Sequence, residues 1–452
     1  MEKAHSKIVK AIIILTSLLI PNISYSAAFG IAEQSALGIG NAFSGGSASA
    51  TDASTVWFNP AGMTRIQDHQ LVTGLHIILP SFNFKNSGSS VLSSFGGAAI
   101  EGVNTYDAGR TAYIPNFYFI HSLANDIKLG LGINSPFGMS TKYDDDWVGR
   151  YQSIESEILT ININPSIAWK FSPNLAIGVG INTQYIKATF NNKIDFTAIC
   201  ASVSLGATTC AALPGSAIND GFSQLEADDW SLGYNVGFLY DLTPHTRLGL
   251  SYRSEIHHQL KGTADFTIPI TVISTIPILS IVFDDTQLIS QPDMPANVSL
   301  SIDHQIDSHL TLMADATWTG WSSVPELKIQ FTNPRKSDTV EELKFKDTLR
   351  LSIGATYTTD GPWIFRTGIA FDEGASVDAH SRSARVPDND RYWLAVGASY
   401  QLLESLSVDF GYAHLFVPDT HIQRLGSTGE TLVGEYRADA NIISGQIRWD
   451  IQ

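Results

Sequence analysis

Few side chains in this sequence have types and spacings that do chemistry. Cys200 and Cys210 lie close together in a polar stretch rich in Ala, Ser and Thr, with no His or carboxylate at ligand spacing. An even cysteine count in an exported chain favours a disulfide there over a metal pair. Asp144-Asp145-Asp146 has the composition of a calcium loop, yet acidic runs in loops are usually just solvated. His257 and His258 are neighbours on a strand pattern, so their rings point to opposite faces and do not easily share one ion. No metal site is expected. No Ser, His and Asp are brought together by the strand parities. The strongest ligand signal is apolar. Residues 266–283, FTIPITVISTIPILSIVF, hold Ile268, Ile270, Ile276, Ile278 and Leu279 in what should be a solvated loop. Exposed apolar surface of this kind marks a ligand or partner site; the alternative is a hairpin prolonging the two adjoining strands. Ile199, Val203, Leu205, Leu213 and Phe222, in loop 194–228, are candidates for an opposing wall.

The elements that must carry these loops follow from charge and periodicity. Lys3, Lys7 and Lys10, then an apolar run from Ala11 to Ile20, Pro21 and the small residues Ser24 to Ala28 have the order of a secretory signal, assigned to residues 1–27. No later apolar run is long and unbroken enough to cross a bilayer as a helix. A net charge of −16 argues against nucleic acid, whose phosphates require a surplus of Lys and Arg. From residue 68 onward the chain alternates. Leu349, Leu351, Ile353, Ala355 and Tyr357 share one face while Arg350, Ser352 and Gly354 share the other; Leu406, Val408, Phe410 and Tyr412 oppose Ser407, Asp409 and Gly411. Short connections at 122–127, 171–174, 241–245, 303–309, 358–362 and 402–405 alternate with long ones near 85–110, 143–155, 194–228, 262–290, 332–344, 373–390 and 418–433. Thirteen connections so sorted imply fourteen antiparallel strands with all short turns at one end. Outer-membrane barrels sort their loops this way, and in lipid a sheet must close to satisfy its edges. The expectation is an all-β, fourteen-stranded antiparallel transmembrane β-barrel over residues 68–452. Its apolar parity faces lipid, and Arg253, Glu255, Asp303, Asp315, Arg350, Arg366, Asp409 and Arg448 face the bore. Trp318, Trp321, Trp363, Tyr392 and Trp393 are candidates for interfacial girdles.

Residues 28–67 do not alternate. Glycines at 30, 38, 40, 45, 46 and 62 accompany Phe29, Phe43, Val56, Trp57, Phe58 and Met63, too apolar a set for a loose tail, so a compact N-terminal plug inside the barrel is expected.

Taken with that architecture, the mature N-terminus AAFGIAEQSALGIGNAFSGGSASATDASTVWFNPAGM resembles the hatch of the FadL family of outer-membrane transporters for long-chain fatty acids and other hydrophobic compounds. Asn59-Pro60-Ala61 matches the family's hatch motif. INSPFG (133–138), YRSE (252–255), FKDTLRLSIGATY (345–357), WIFRTGIAFDEG from 363 and RVPDNDRYWLAVGASY to 400 follow in order. The resemblance implies a fourteen-stranded barrel closed by a hatch at 28–67. It also implies capture of substrate by apolar extracellular loops, an internal pocket, and release through a lateral opening at a kink in the third strand, here Asn134-Ser135-Pro136-Phe137-Gly138. Pro136 lacks a ladder donor and Gly138 weakens pairing, so a local opening is physically reasonable; the other reading is that Pro136 only begins the strand's outer end. By family position Lys187 and Lys346 are the basic residues near the pocket, although Lys187 lies at lipid parity. Arg350 and Arg366 are alternative cations for a carboxylate, although pairing with Asp303, Asp315 or Asp52 is the first expectation for each. The resemblance implies a monomeric, non-enzymatic outer-membrane protein that needs no cofactor and whose partners are a hydrophobic small molecule and outer-membrane lipid. A lipid hydrolase and a general diffusion porin are the rival functions. The chain ends Trp449-Asp450-Ile451-Gln452, with Trp449 at lipid parity, whereas such barrels usually end on an aromatic.

Overall fold

In the computed structural model, which describes residues 28–91, 97–202 and 214–451, the period-two pattern becomes one continuous antiparallel sheet. The secretory signal and Cys210 lie outside the described residues. Fourteen strands follow in chain order: β1 (His69–Asn86), β2 (Ala112–Ala124), β3 (Ile127–Asn134, resuming at Gly138–Lys142), β4 (Glu155–Ser172), β5 (Leu175–Asp195) and β6 (Asp220–Thr243). Next come β7 (Thr246–Arg253, then Leu260–Thr267), β8 (Thr286–Ser290, then Asn297–Gln305), β9 (Leu310–Thr319, then Glu326–Phe331) and β10 (Thr339–Glu342, then Thr348–Thr358). β11 (Trp363–Asp372), β12 (Arg391–Leu403), β13 (Leu406–Phe416, then Thr420–Leu425) and β14 (Thr431–Ile451) complete the series. Each pairs with its neighbours, and β14 closes on β1 from His69↔Ile451 to Asn86↔Gly434. Closure removes the edge strands that hydrocarbon would not tolerate.

The faces divide as the alternation requires. Leu300, Leu351, Ile369, Val396 and Phe410 are exposed on the outside, while Asn162, Asn182, Asn235 and Ser301 are buried within. That is an inside-out protein, with apolar side chains toward lipid and amides toward the bore. Arg253, Asp315, Arg366 and Asp409 are buried on the inner face.

Two expectations need correction. The ladder of β7 breaks between Arg253 and Ile256, where the Ser254 N–H donates to the Tyr234 carbonyl, and the extra residue shifts the phase. Glu255 therefore leaves the bore and lies 3.3 Å from the exposed His257 ring, which also meets Asp293 at 2.7 Å; His258 turns inward to Asp229 and Gln184. Of the five proposed girdle aromatics, Trp318, Trp363 and Tyr392 do face outward. Trp321 and Trp393 are buried, because the rings Phe29 and Phe345 pack edge-on against Trp321 and Phe43 against Trp393.

Residues 28–66 fold into short pieces that pack against the inner wall: α1 (Ala36–Gly40), α2 (Gly46–Ser49), α3 (Thr55–Phe58) and a 3-10 turn (Pro60–Arg65). Two of these starts have a side-chain cap. The Ser35 hydroxyl accepts from the Gly38 N–H, and Asn59 accepts from the Ala61 N–H while Pro60, which has no N–H to satisfy, takes the first position of the 3-10 turn. The Asn59 amide also donates to the Ser47 carbonyl at 2.7 Å and to the Phe238 carbonyl of β6 at 2.9 Å, fastening this segment to the wall. Gly178 and Gly237 stand opposite each other on β5 and β6, and a Cβ on either would overlap Pro60-Ala61 or the Asn59 amide. The wall is notched there so that the Asn-Pro-Ala turn can approach the sheet. Gly249, Gly368, Gly397 and Gly411 make equivalent backbone contacts with Ser47, Asn41, Gly40 and Ala36.

Candidate functional site

The third strand is interrupted. Its pairing with β4 runs to Asn134↔Asn162 and resumes at Gly138↔Leu159, so Ser135, Pro136 and Phe137 oppose only Thr160 and Ile161. The Thr160 hydroxyl satisfies the bulge by accepting from the Phe137 N–H at 3.0 Å and donating to its carbonyl at 2.6 Å. From inside, Gln34 donates to the Ser135 carbonyl and accepts from Asn134. On the other side β2 pairs with β3 only up to Phe117↔Ile133. Above that level the Ala112–Asn116 backbone pairs with β1 alone, and among the described residues β2's side of the sheet meets the β3 segment again only where Gly109 bridges Thr141. The result is a window between β2 and β3, framed by Pro115 and the Pro136 bulge.

A cavity of about 630 Å³ occupies that window. Its lining includes lipid-facing Tyr113, Ile133, Leu159 and Ile161 together with Glu33, Asp388 and Arg391 from the interior, so it passes through the wall. A second space, about 70 Å³ and almost wholly apolar, lies under the long loops between Ile186, Phe190, Leu225, Leu260, Leu288 and Ile329. Phe29, Met139, Ile158, Arg385 and Val386 line both cavities and form the septum between them. Phe29 sits edge-on to Trp321 at 4.7 Å and to Phe137 at 6.2 Å. Its segment is stitched to the bulge: the Ile31 N–H donates to Pro136 and the Gly138 N–H to Phe29, both at 2.9 Å, while the Ala28 N–H donates to Asp388.

Arg385 is the cation beside the apolar chamber. It pairs with Glu341 at 3.1 Å, donates to the Ser156 hydroxyl at 2.9 Å and lies 5.0 Å over the Phe190 ring. In the sequence Arg385 only opens the RVPDNDR stretch and Phe29 is only one of the apolar residues of the N-terminal segment, with no local signal that marks either as a site residue. The four basic residues that sequence reasoning singles out lie elsewhere. Lys187 projects from the outer face of β5 and pairs with Glu226 at 2.6 Å, since no bulge turns it inward. Lys346 stands 3.7 Å from Glu373 and lines none of these spaces. Arg350 lines a third cavity of about 180 Å³, a mixed polar and apolar space shared with Arg253, Asp315 and Asp372 beside the N-terminal segment. There it donates to the Ala42 carbonyl at 2.8 Å and lies 5.0 Å over Trp393. Arg366 is buried against Ser399, to which it donates at 2.6 Å.

The apolar loop is helical rather than a hairpin extension: α5 (Ile270–Thr275) and α6 (Leu279–Val282) follow α4 (Phe196–Ser202) in the chain. Pro269 and Pro277 each precede a helix start, where a missing N–H costs nothing. Ile276 and Leu279 bury against Phe196 and the disulfide-bonded Cys200, Ile268 packs on the same cluster, and Ile270 and Ile278 remain exposed.

A closed barrel with a lipid-facing belt, a filled bore and a cavity through its wall defines an outer-membrane transport barrel rather than an open pore. Comparison with known proteins places it more closely. Residues 17–450 match the family model for outer membrane protein transport proteins, OMPP1/FadL/TodX. The long-chain fatty acid transport protein of Salmonella typhi is 30% identical over 90% of this chain and 91% of its own length. Outer membrane protein P1 of Haemophilus influenzae is 29% identical over 90% and 89%. The crystal structure of a Pseudomonas aeruginosa FadL homologue superposes with a TM-score of 0.83 at 23% identity, covering 94% of this chain and all (100%) of that one. The chain belongs to the OMPP1/FadL/TodX family of outer-membrane transport proteins.

Proposed function

We propose that this protein takes up long-chain fatty acids or related hydrophobic molecules across the outer membrane and delivers them sideways through its wall. The observation that carries the reading is the septum at Phe29, which divides an apolar chamber beneath the outer loops from a cavity open to the lipid-facing side. An alkyl chain gains about 0.8 kcal/mol per buried methylene, so an apolar chamber with one cation at its edge is suited to an amphiphile. Arg385 is assigned to the carboxylate, exchanging Glu341 for it as the substrate passes. Residues 28–67 serve as the hatch: Asn59-Pro60-Ala61 anchors it in the notch at Gly178 and Gly237, while Ala28–Ile31 is the part that must shift for the two spaces to join. Loop clusters around α5 and α6 take the molecule from outside, and Cys200, with Cys210 as its partner, braces them. A single chain holds the whole path, so the monomer is the working unit, without catalytic chemistry.

The test is uptake of labelled oleate, with toluene as the competing hydrophobe, in cells lacking other hydrophobe transporters. Uptake that depends on this protein supports the proposal, and the preferred substrate ranks the two classes. Uptake of neither, or a large steady single-channel current typical of a porin, would defeat it.

A further inference from the structure

At the outer-loop entrance to that path stands a positive charge that, among the described residues, forms no ion pair. Lys336 lies in the connection between the two outer segments of β9 and β10, and its ammonium stands 4.0, 4.4 and 4.8 Å from the ring centroids of Phe283, Phe266 and Phe331. Phe266 is edge-on to both other rings. Three faces around one cation make an aromatic cage. Among the described residues no carboxylate lies within 4.0 Å of this nitrogen, and residues 92–96 and 203–213 contain no Asp or Glu. Burial alone pulls the Lys336 ammonium down to about 8, with no neighbouring charge to offset it.

The cage is joined to the apolar helices. The Asn333 amide donates to the Ile281 carbonyl at 2.8 Å, and Phe283 ends α6. Beside it Ile270, Ile278 and Ile281 are exposed above the Phe196 cluster. An unpaired cation at the edge of exposed aliphatic surface presents two complementary halves of one ligand type.

We propose that Lys336 is the head-group anchor of an extracellular binding site for a carboxylate-bearing amphiphile, whose alkyl chain lies along α5 and α6. The inference rests on the uptake reading above and narrows it. A site of this design discriminates by head group, favouring fatty acids over equally apolar hydrocarbons and alcohols before anything enters the barrel. The competing account is that Lys336 only ties three rings together as a loop strut.

Equilibrium binding of oleate and oleyl alcohol to the full chain in lipid nanodiscs separates these accounts. Wild type binds oleate more tightly than the alcohol; Lys336→Met reduces oleate affinity on the order of tenfold and leaves the alcohol unchanged, so the preference collapses. Lys336→Arg retains it. In wild type the preference fades between pH 7 and 9.5 as the ammonium deprotonates, and in Lys336→Arg it does not. The inference is overturned if Lys336→Met binds oleate like wild type, if both ligands weaken equally, or if wild type shows no preference. Should wild type bind neither ligand, the uptake reading itself falls, and this inference with it.

Discussion

Replacing Phe29 with alanine is the sharpest test of the septum. The ring is 6% exposed and contacts Phe137 and Trp321, so its loss costs about 3–5 kcal/mol by analogy with buried Phe→Ala changes. What remains to hold Ala28–Ile31 is two backbone hydrogen bonds to the bulge, one from the Gln34 amide to the Ile31 carbonyl, one to the Asp388 carboxylate and one from the Arg391 guanidinium to the Ala28 carbonyl. Three bonds at about 1 kcal/mol and two charge-assisted bonds at about 1.5–3 each give roughly 6–9 kcal/mol. Fixing four backbone residues costs about 4–8 kcal/mol, so without the ring the segment is near balance. The released population should therefore rise by roughly a hundredfold or more, since each 1.4 kcal/mol is tenfold. An Ala28→Cys variant reports the segment's exposure through its rate of reaction with a thiol reagent, and oleate uptake reports function. The expected result is that Phe29→Ala accelerates labelling strongly and does not slow uptake, while Phe29→Leu stays near the parent. Unchanged labelling would refute the energetic argument, and faster labelling with reduced uptake would refute the septum as a barrier.

Other expectations are more local. Asn59→Ala strips partners from the Ser47 and Phe238 carbonyls and the Ala61 N–H, at about 1–3 kcal/mol for each group left buried and unpaired. The barrel should still migrate as a heat-modifiable band while residues 28–66 become protease-sensitive; normal protection and transport would reduce Asn59 to a turn residue. Gly237→Ala should give the same phenotype, because its new methyl overlaps the Asn59 amide, and the temperature at which residues 28–66 become protease-sensitive would measure the cost. Arg385→Leu alone leaves Glu341 buried with the Ser383 hydroxyl and a longer ion pair to Arg424, so the Arg385→Leu/Glu341→Gln pair is the cleaner probe; oleate uptake should fall several-fold in the pair while toluene entry is unchanged. Pro136→Ala restores an N–H at a position where β2 offers no ladder partner among the described residues, so uptake should change less than about twofold, as labelled oleate would show.

The barrel was legible because its determinants are local. Period-two alternation sets the faces, turn residues set the ends, and sorted loop lengths set the direction of insertion. What escaped depends on contacts distant in sequence or on single-residue phase slips. Parity counting puts Glu255 in the bore because it runs straight through the Ser254 break, which the pairing of Ser254 with Tyr234 betrays. Trp321 and Trp393 stand near strand ends like girdle residues, yet rings from the N-terminal segment draw them inward. Phe29 and Arg385 become neighbours of one septum only after the chain has turned through the whole barrel, as the Ala28 to Asp388 bond across 360 residues illustrates. Lys187 was flagged by its own parity, and the uninterrupted register of β5 with β6 keeps it outside.

The glycine notches also impose an order on biogenesis. Residues 28–66 leave the ribosome before any strand, but the surfaces they need are made late: Ala36 rests on Gly411 and donates to Gln446, and Gly40 rests on Gly397. Until β14 has met β1, the segment's buried polar groups have no complete set of partners. Docking of residues 28–66 thus reports completion of the latest strand, and a chain arrested before closure would carry that segment unfolded into the periplasm. Such a tail is a natural handle for proteases, so stalled barrels would be distinguishable from finished ones by the state of residues 28–66.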